Sequence, residues 1–156
     1  MTLSLSFSLD FHSINEIVAS MRNLQLAKDP KEGDWWLTVD DTVVGYWPAD
    51  IFTHLKGAAT RVEWGGEIIY TTTKSTDRHT KTHMGSSHFA NEGYKKASHF
   101  NGLKIVTKDD TIIPVKIATT AITNARCYNL LVYPYNENLG TSFSYGGPGF
   151  NNSTCT

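Results

Sequence analysis

Two strand-forming runs constrain the fold most: Trp35-Trp36-Leu37-Thr38-Val39 and Thr42-Val43-Val44-Gly45-Tyr46-Trp47, with only Asp40-Asp41 between them. Aromatic and β-branched residues on both sides of a two-residue acidic turn predict a β-hairpin. The polar stretch Lys28-Asp29-Pro30-Lys31-Glu32-Gly33-Asp34, with its Pro and Gly, reads as the turn leading in.

Other segments carry the same character. Leu3, Leu5, Phe7 and Leu9 alternate with Ser, the period-two pattern of a strand with one buried face. Residues 61–70 read as strand, residues 71–82 as a polar loop, and His83-Met84-Gly85-Ser86-Ser87-His88-Phe89 opens another ordered stretch. Leu103-Lys104-Ile105-Val106 and Ile112-Ile113-Pro114-Val115 flank Lys108-Asp109-Asp110, a second hairpin with an edge-type proline. One short helix is predicted over residues 49–56, between Pro48 near N1 and Gly57 at C′.

Seven Tyr, seven Phe, four Trp and twelve Gly among 156 residues agree with a mostly β class. That length accommodates one domain with a real core, and no repeat or linker argues for a second.

The balance of 14 basic and 15 acidic residues, with no block of either sign, argues against a nucleic-acid or acidic-membrane partner. The N-terminus has neither a basic n-region nor an unbroken apolar h-region, and no segment is apolar for long enough to span a bilayer.

Cys127 and Cys155 are the only cysteines. A bridge between them would pin the C-terminal tail, and a pair of free thiols is the alternative. Asn151 and Asn152 head overlapping glycosylation acceptors, Asn151-Asn152-Ser153 and Asn152-Ser153-Thr154, which agree with an oxidising compartment.

The run Glu63-Trp64-Gly65-Gly66-Glu67 is the best candidate for chemistry. In a regular strand Glu63, Gly65 and Glu67 share a face, and the missing side chain at Gly65 opens a concave space between two carboxylates. Four residues of strand hold these carboxylates roughly 13 Å apart, too far to share a proton. Glu67 therefore needs a partner from elsewhere. Two glycines in a strand predict a bulge that re-aims Glu67, and aromatic surface at Trp64 would raise a carboxyl pKa by desolvation. The plainer alternative places both glutamates on the solvent face of an edge strand.

His12, His54, His79, His83, His88 and His99 show no metal-ligand spacing with cysteines or carboxylates, and no cofactor motif is present. Gly-x-Ser-x-Gly and Walker patterns are absent, and Gly146-Gly147-Pro148-Gly149 reads as a close-packed terminal turn.

Taken in order, several runs resemble the plant neprosin family of glutamic peptidases. They are Lys28-Asp29-Pro30-Lys31-Glu32-Gly33-Asp34-Trp35-Trp36, Val44-Gly45-Tyr46-Trp47-Pro48, Glu63-Trp64-Gly65-Gly66-Glu67 and His83-Met84-Gly85-Ser86-Ser87-His88-Phe89. The series continues with Glu92-Gly93-Tyr94-Lys95-Lys96-Ala97-Ser98, Cys127-Tyr128 and Tyr145-Gly146-Gly147-Pro148-Gly149. On these motifs residues 28–156 correspond to the C-terminal part of a neprosin-like catalytic domain, and residues 1–27 match poorly.

The resemblance implies an antiparallel β-sandwich, here incomplete, and a secreted enzyme without cofactor that cleaves peptides at acidic pH with a preference for proline. It assigns Glu67 as one of two catalytic glutamates, the other belonging to an upstream segment that residues 1–27 do not match. Glu16 resembles a later, non-catalytic strand position, and Ser87 stands where the family usually has Gly. Trp36, Trp47, Trp64 and Tyr145 become candidates to line a substrate cleft, with Trp35 beside them, and Cys127–Cys155 a candidate disulfide.

Two rivals remain: a catalytically inactive secreted β domain that holds extended peptides or cell-wall components, and a carbohydrate-binding module. An incomplete sandwich would also leave an open sheet edge for a second chain to cover.

Overall fold

In the computed structural model, the described residues are 2–4, 23–70, 79–107, 109, 111–116, 118–151 and 155. Ten strands run in chain order: β1 Thr2–Ser4, β2 Leu24–Lys28, β3 Trp35–Val39, β4 Thr42–Trp47, β5 Arg61–Glu63, β6 Ser98–Phe100, β7 Lys104–Val106, β8 Ile112–Pro114, β9 Asn129–Asn136 and β10 Gly140–Gly146. They form four small sheets, β2-β3-β4, β6-β10-β9, β7-β8 and β1-β5. The class is mostly β, and every pairing is antiparallel except β1 with β5, which is parallel. Among the described residues no helix is long and apolar enough to cross a membrane.

The first hairpin forms where the sequence places it. Asp40 and Asp41 both adopt positive φ, 49° and 63°, the backbone of the turn whose twist matches its flanking strands. The Asp40 carboxylate also accepts the Asn23 N–H at 2.8 Å, fixing the start of β2. The second hairpin pairs β7 with β8 from Lys104 opposite Pro114 to Val106 opposite Ile112.

The helix expected over residues 49–56 is instead one 3-10 turn, Ala49–Ile51, and Phe52 is already extended at φ −97°, ψ 130°. Eight residues are too few to sustain a helix without packing. Here the polar groups are drawn to the neighbouring sheet. The Ala49 N–H donates to the Asp34 carboxylate, Trp35 Nε1–H to the Leu55 carbonyl and Lys28 Nζ to the Lys56 carbonyl. A second 3-10 turn among the described residues is Ala90–Glu92.

Residues 61–70 give strand only at β5. Of the strand expected along Leu3, Leu5, Phe7 and Leu9, the described part is β1, Thr2–Ser4, and the rest lies, with Glu16, outside the described residues.

The central sheet is β6-β10-β9, and its longest strands make a hairpin through residues 137–139. The Asn136 side-chain oxygen closes that turn by accepting the N–H groups of Asn138 and Leu139 at 2.8 and 3.1 Å. Phe143 stacks on Phe100 at 5.2 Å, and Tyr145 on Phe100 at 5.5 Å, so one face of β6 and β10 is an aromatic layer. Leu103 packs at its end, with its N–H on the Thr141 carbonyl.

Beyond β10 the glycine-rich run is threaded between segments. A Cβ on Gly147 would meet the Cys127 carbonyl and the Tyr128 Cα, so this position admits no side chain. The run is close-packed as expected, but it is no turn: Gly146 ends β10 and Gly147 bridges to Met84.

Candidate active site

The Glu63-Trp64-Gly65-Gly66-Glu67 run departs from the strand drawn from its alternation. β5 stops at Glu63, so Glu63 and Glu67 do not share a strand face and the expected bulge has no ladder to sit in. Glu63 is instead held by Arg61, two residues back on the same strand, at 2.5 Å. This ion pair commits the nearer glutamate to a structural neighbour.

After Glu63 the chain turns down onto the aromatic layer. The two glycines differ: a Cβ on Gly65 would meet open space, whereas one on Gly66 would lie 2.7 Å from Met84 Cγ and 3.0 Å from Tyr145 Cε2. Real Cβ atoms do not approach so closely, so Gly66 lies flat on a floor made by Met84 and Tyr145.

Met84 is itself fixed. Its N–H donates to the Gly147 carbonyl at 2.9 Å, and the Gly147 N–H returns to the Met84 carbonyl at 3.3 Å. Burial pushes the Tyr145 phenol above its ordinary pKa, so it stays neutral through acid and neutral pH.

On the other side of Glu67, Ile68 packs with Met84 and Phe150 against a core of Cys127, Tyr128 and Cys155. The two cysteines form a disulfide and are fully buried. Tyr128 donates its hydroxyl to the Thr82 carbonyl at 2.8 Å, and burial raises its pKa. Glu67, between Gly66 and Ile68, is exposed to solvent. Its backbone is clamped on both sides while the residue itself is exposed.

The aromatic candidates do not share one cleft. Trp36 is opposite Tyr46 and Trp47 opposite Trp35 in the β3–β4 register, so Trp36 and Trp47 face opposite sides of that sheet. Trp36 stacks on Tyr46 at 4.7 Å, and Tyr46 is 52% exposed, giving an open aromatic platform. Trp35 is buried and anchored by its indole hydrogen bond, Tyr145 belongs to the floor under Gly66, and Trp64 is half-buried beside Gly65.

Two clusters went unseen in the sequence. Glu92 accepts from His88 Nδ1 at 2.8 Å and from the Phe89 N–H at 3.0 Å, with Lys96 beyond at 3.9 Å. The His88 and Phe89 hydrogen bonds, in that order, lower the Glu92 pKa. The signal available was the four-residue spacing of His88 and Glu92 and of Glu92 and Lys96.

The second cluster brings His79 beside the disulfide, with candidate ligand atoms of His79, Cys127 and Cys155 within 4.8 Å of one another. Both sulfurs are bonded to each other, so neither offers a thiolate, and the imidazole is wedged between Tyr70 and Tyr128. The donor set does not fit a metal in this state.

Asn151 is half-buried and forms a bridge with Cys155, its side-chain oxygen accepting the Cys155 N–H at 3.3 Å. Asn152 lies outside the described residues.

The family model for neprosin matches residues 3–148. The chain belongs to the neprosin family. That match extends upstream of the run of motifs, taking in nearly all of residues 1–27, and ends within the glycine-rich run before Cys155. Neprosin is a proteolytic family, and a buried disulfide is consistent with an extracellular protein.

Proposed function

We propose that this neprosin domain is the Glu67-bearing part of a secreted glutamic endopeptidase that hydrolyses proline-containing peptides at acidic pH. The observation that carries the reading is the clamped turn, which presents Glu67 to solvent while Gly66 and Ile68 are packed on either side. A group that activates water or protonates a leaving amine must reach substrate and hold its position to well under 1 Å.

The resemblance places the second carboxylate of the dyad upstream of the motif series, and Glu67 is the carboxylate that the motifs assign. Two carboxylates sharing a site do not both ionise easily, which confines activity to acidic pH. Asn151 and Asn152 are glycosylation candidates in such a secreted protein.

The test compares the parent and Glu67→Gln on a proline-containing peptide at low pH. Loss of cleavage in Glu67→Gln supports the assignment; equal rates overturn it.

A second reading rests on the open Trp36–Tyr46 platform: a domain without catalysis that binds extended peptides or cell-wall components through ring stacking. Binding of an uncleaved peptide that Trp36→Ala abolishes favours this reading. β4 lies at the edge of its sheet, with Val43 and Val44 57% and 62% exposed, and a second chain pairing there is part of the same proposal.

A further inference from the structure

We infer that Met84 and Tyr145 are positioning residues for Glu67, forming a floor that fixes the carboxylate only while position 66 is glycine. The inference rests on the catalytic reading of Glu67 and goes beyond it by naming what holds that residue.

The geometry has three parts. The first is steric. A Cβ at position 66 meets Met84 Cγ at 2.7 Å, Met84 Sδ at 3.0 Å and Tyr145 Cε2 at 3.0 Å, so any side chain there lifts the turn or displaces the floor. By contrast, the position before it is open, and a Cβ on Gly65 touches nothing within 4 Å.

The second is rigidity. Tyr145 cannot swing away freely, because Phe100 and Phe143 hold its ring at 5.5 and 5.9 Å and its strand is paired on both sides. Gly85 also lies along the same Cε2 edge, with its own Cβ direction 3.6 Å from it. Met84 is tied by the paired backbone hydrogen bonds to Gly147.

The third is reach. Met84 packs against the Cys127–Tyr128–Cys155 core, as does Ile68 on the far side of Glu67. One methionine therefore touches the residue before Glu67 and shares a core with the residue after it. Its unbranched thioether fits this irregular space. The turn is located by packing, and the exposed carboxylate inherits that location.

The experiment uses the full chain with Gly66→Ala, Met84→Ala and the double variant Gly66→Ala/Met84→Ala, each checked by thermal melting. A 1 Å displacement of a catalytic group costs roughly 100-fold, so Gly66→Ala is expected to lower kcat by about that factor with KM little changed. The double variant, which removes Cγ and Sδ from the collision, is expected to recover most of the loss. Tyr145→Leu, which removes the ring edge under Gly66, is expected to lower kcat with KM little changed, and an unchanged kcat removes Tyr145 from the floor.

The carboxyl 13C resonance of Glu67 gives a readout that needs no turnover: it should shift in Gly66→Ala and return in the double variant. An unmoved resonance in Gly66→Ala, or a double variant no better than the single, overturns the inference. A resonance that responds as described while Glu67→Gln cleaves at the parent rate supports the floor and removes only the catalytic reading.

Discussion

The hydroxyls of Tyr133 and Ser144 lie 2.9 Å apart on one face of the β9–β10 ladder, where Ser144 is only 2% exposed. The two residues are diagonal neighbours, since Tyr133 is opposite Ser142 and Leu131 opposite Ser144. Tyr133→Phe strands the buried serine hydroxyl and should cost about 1–3 kcal/mol, while Ser144→Ala leaves a half-buried phenol that water can still reach and should cost less. Urea denaturation of both variants and the double checks this asymmetry; a double variant costing more than the sum contradicts it.

The disulfide joins residues 28 apart in sequence. In the chain-entropy account a loop of that size stabilises by about 3–4 kcal/mol. Cys127→Ala/Cys155→Ala should lower the urea midpoint accordingly, and an unchanged midpoint would show that the tail is held by packing alone.

Acid should probe the His88–Glu92–Lys96 cluster. The folded pKa of Glu92 lies below its ordinary value of 4.5, chiefly through the His88 hydrogen bond and then the Phe89 N–H. Its contribution to stability is therefore complete above about 4.5 and is lost as pH falls below that value toward the folded pKa. Glu92→Gln should flatten the dependence of the melting temperature on pH in this window. Identical slopes for parent and variant would remove Glu92 from the acid response.

The open β4 edge makes a prediction about association. Val43 and Val44 are both exposed although neighbouring residues of a strand point to opposite faces. If a second copy pairs there, sedimentation of the parent should shift with concentration, and Val44→Lys should hold it as monomer. A parent that stays monomeric throughout excludes this partner.

Much of the fold was legible because it is local. Asp40-Asp41 between two strand-forming runs encodes its own turn, and Pro114 suits the short β8 ribbon edge. The β9–β10 hairpin was not read, because Asn129–Asn136 contains Pro134 and ends in polar residues. The helix signals at Pro48 and Gly57 were genuine end markers around a segment too short to be helical. Alternation also overran β5, since counting by two cannot see a chain leave its sheet at Trp64.

At the site, the motif series singled out Glu67, but the packing beneath its neighbour Gly66 was not legible. Met84 and Tyr145 reach Gly66 from distant parts of the sequence, and only the fold reveals that one of two adjacent glycines is packed and the other free. The aromatic candidates were separated by register: a one-residue step from Trp35 to Trp36 moves a ring to the other face.

The parallel pairing of β1 with β5 bears on the order of assembly. β3 with β4 and β9 with β10 close through turns of two or three residues, but Arg61 must find Thr2 across the whole intervening chain. Hairpins of the first kind form in microseconds, whereas contacts between distant residues bear a loop-closure entropy and come later. The strand that delivers the chain to Gly66 and Glu67 is thus among the last to be secured, and the turn that carries Glu67 should settle after most of the β structure has already formed.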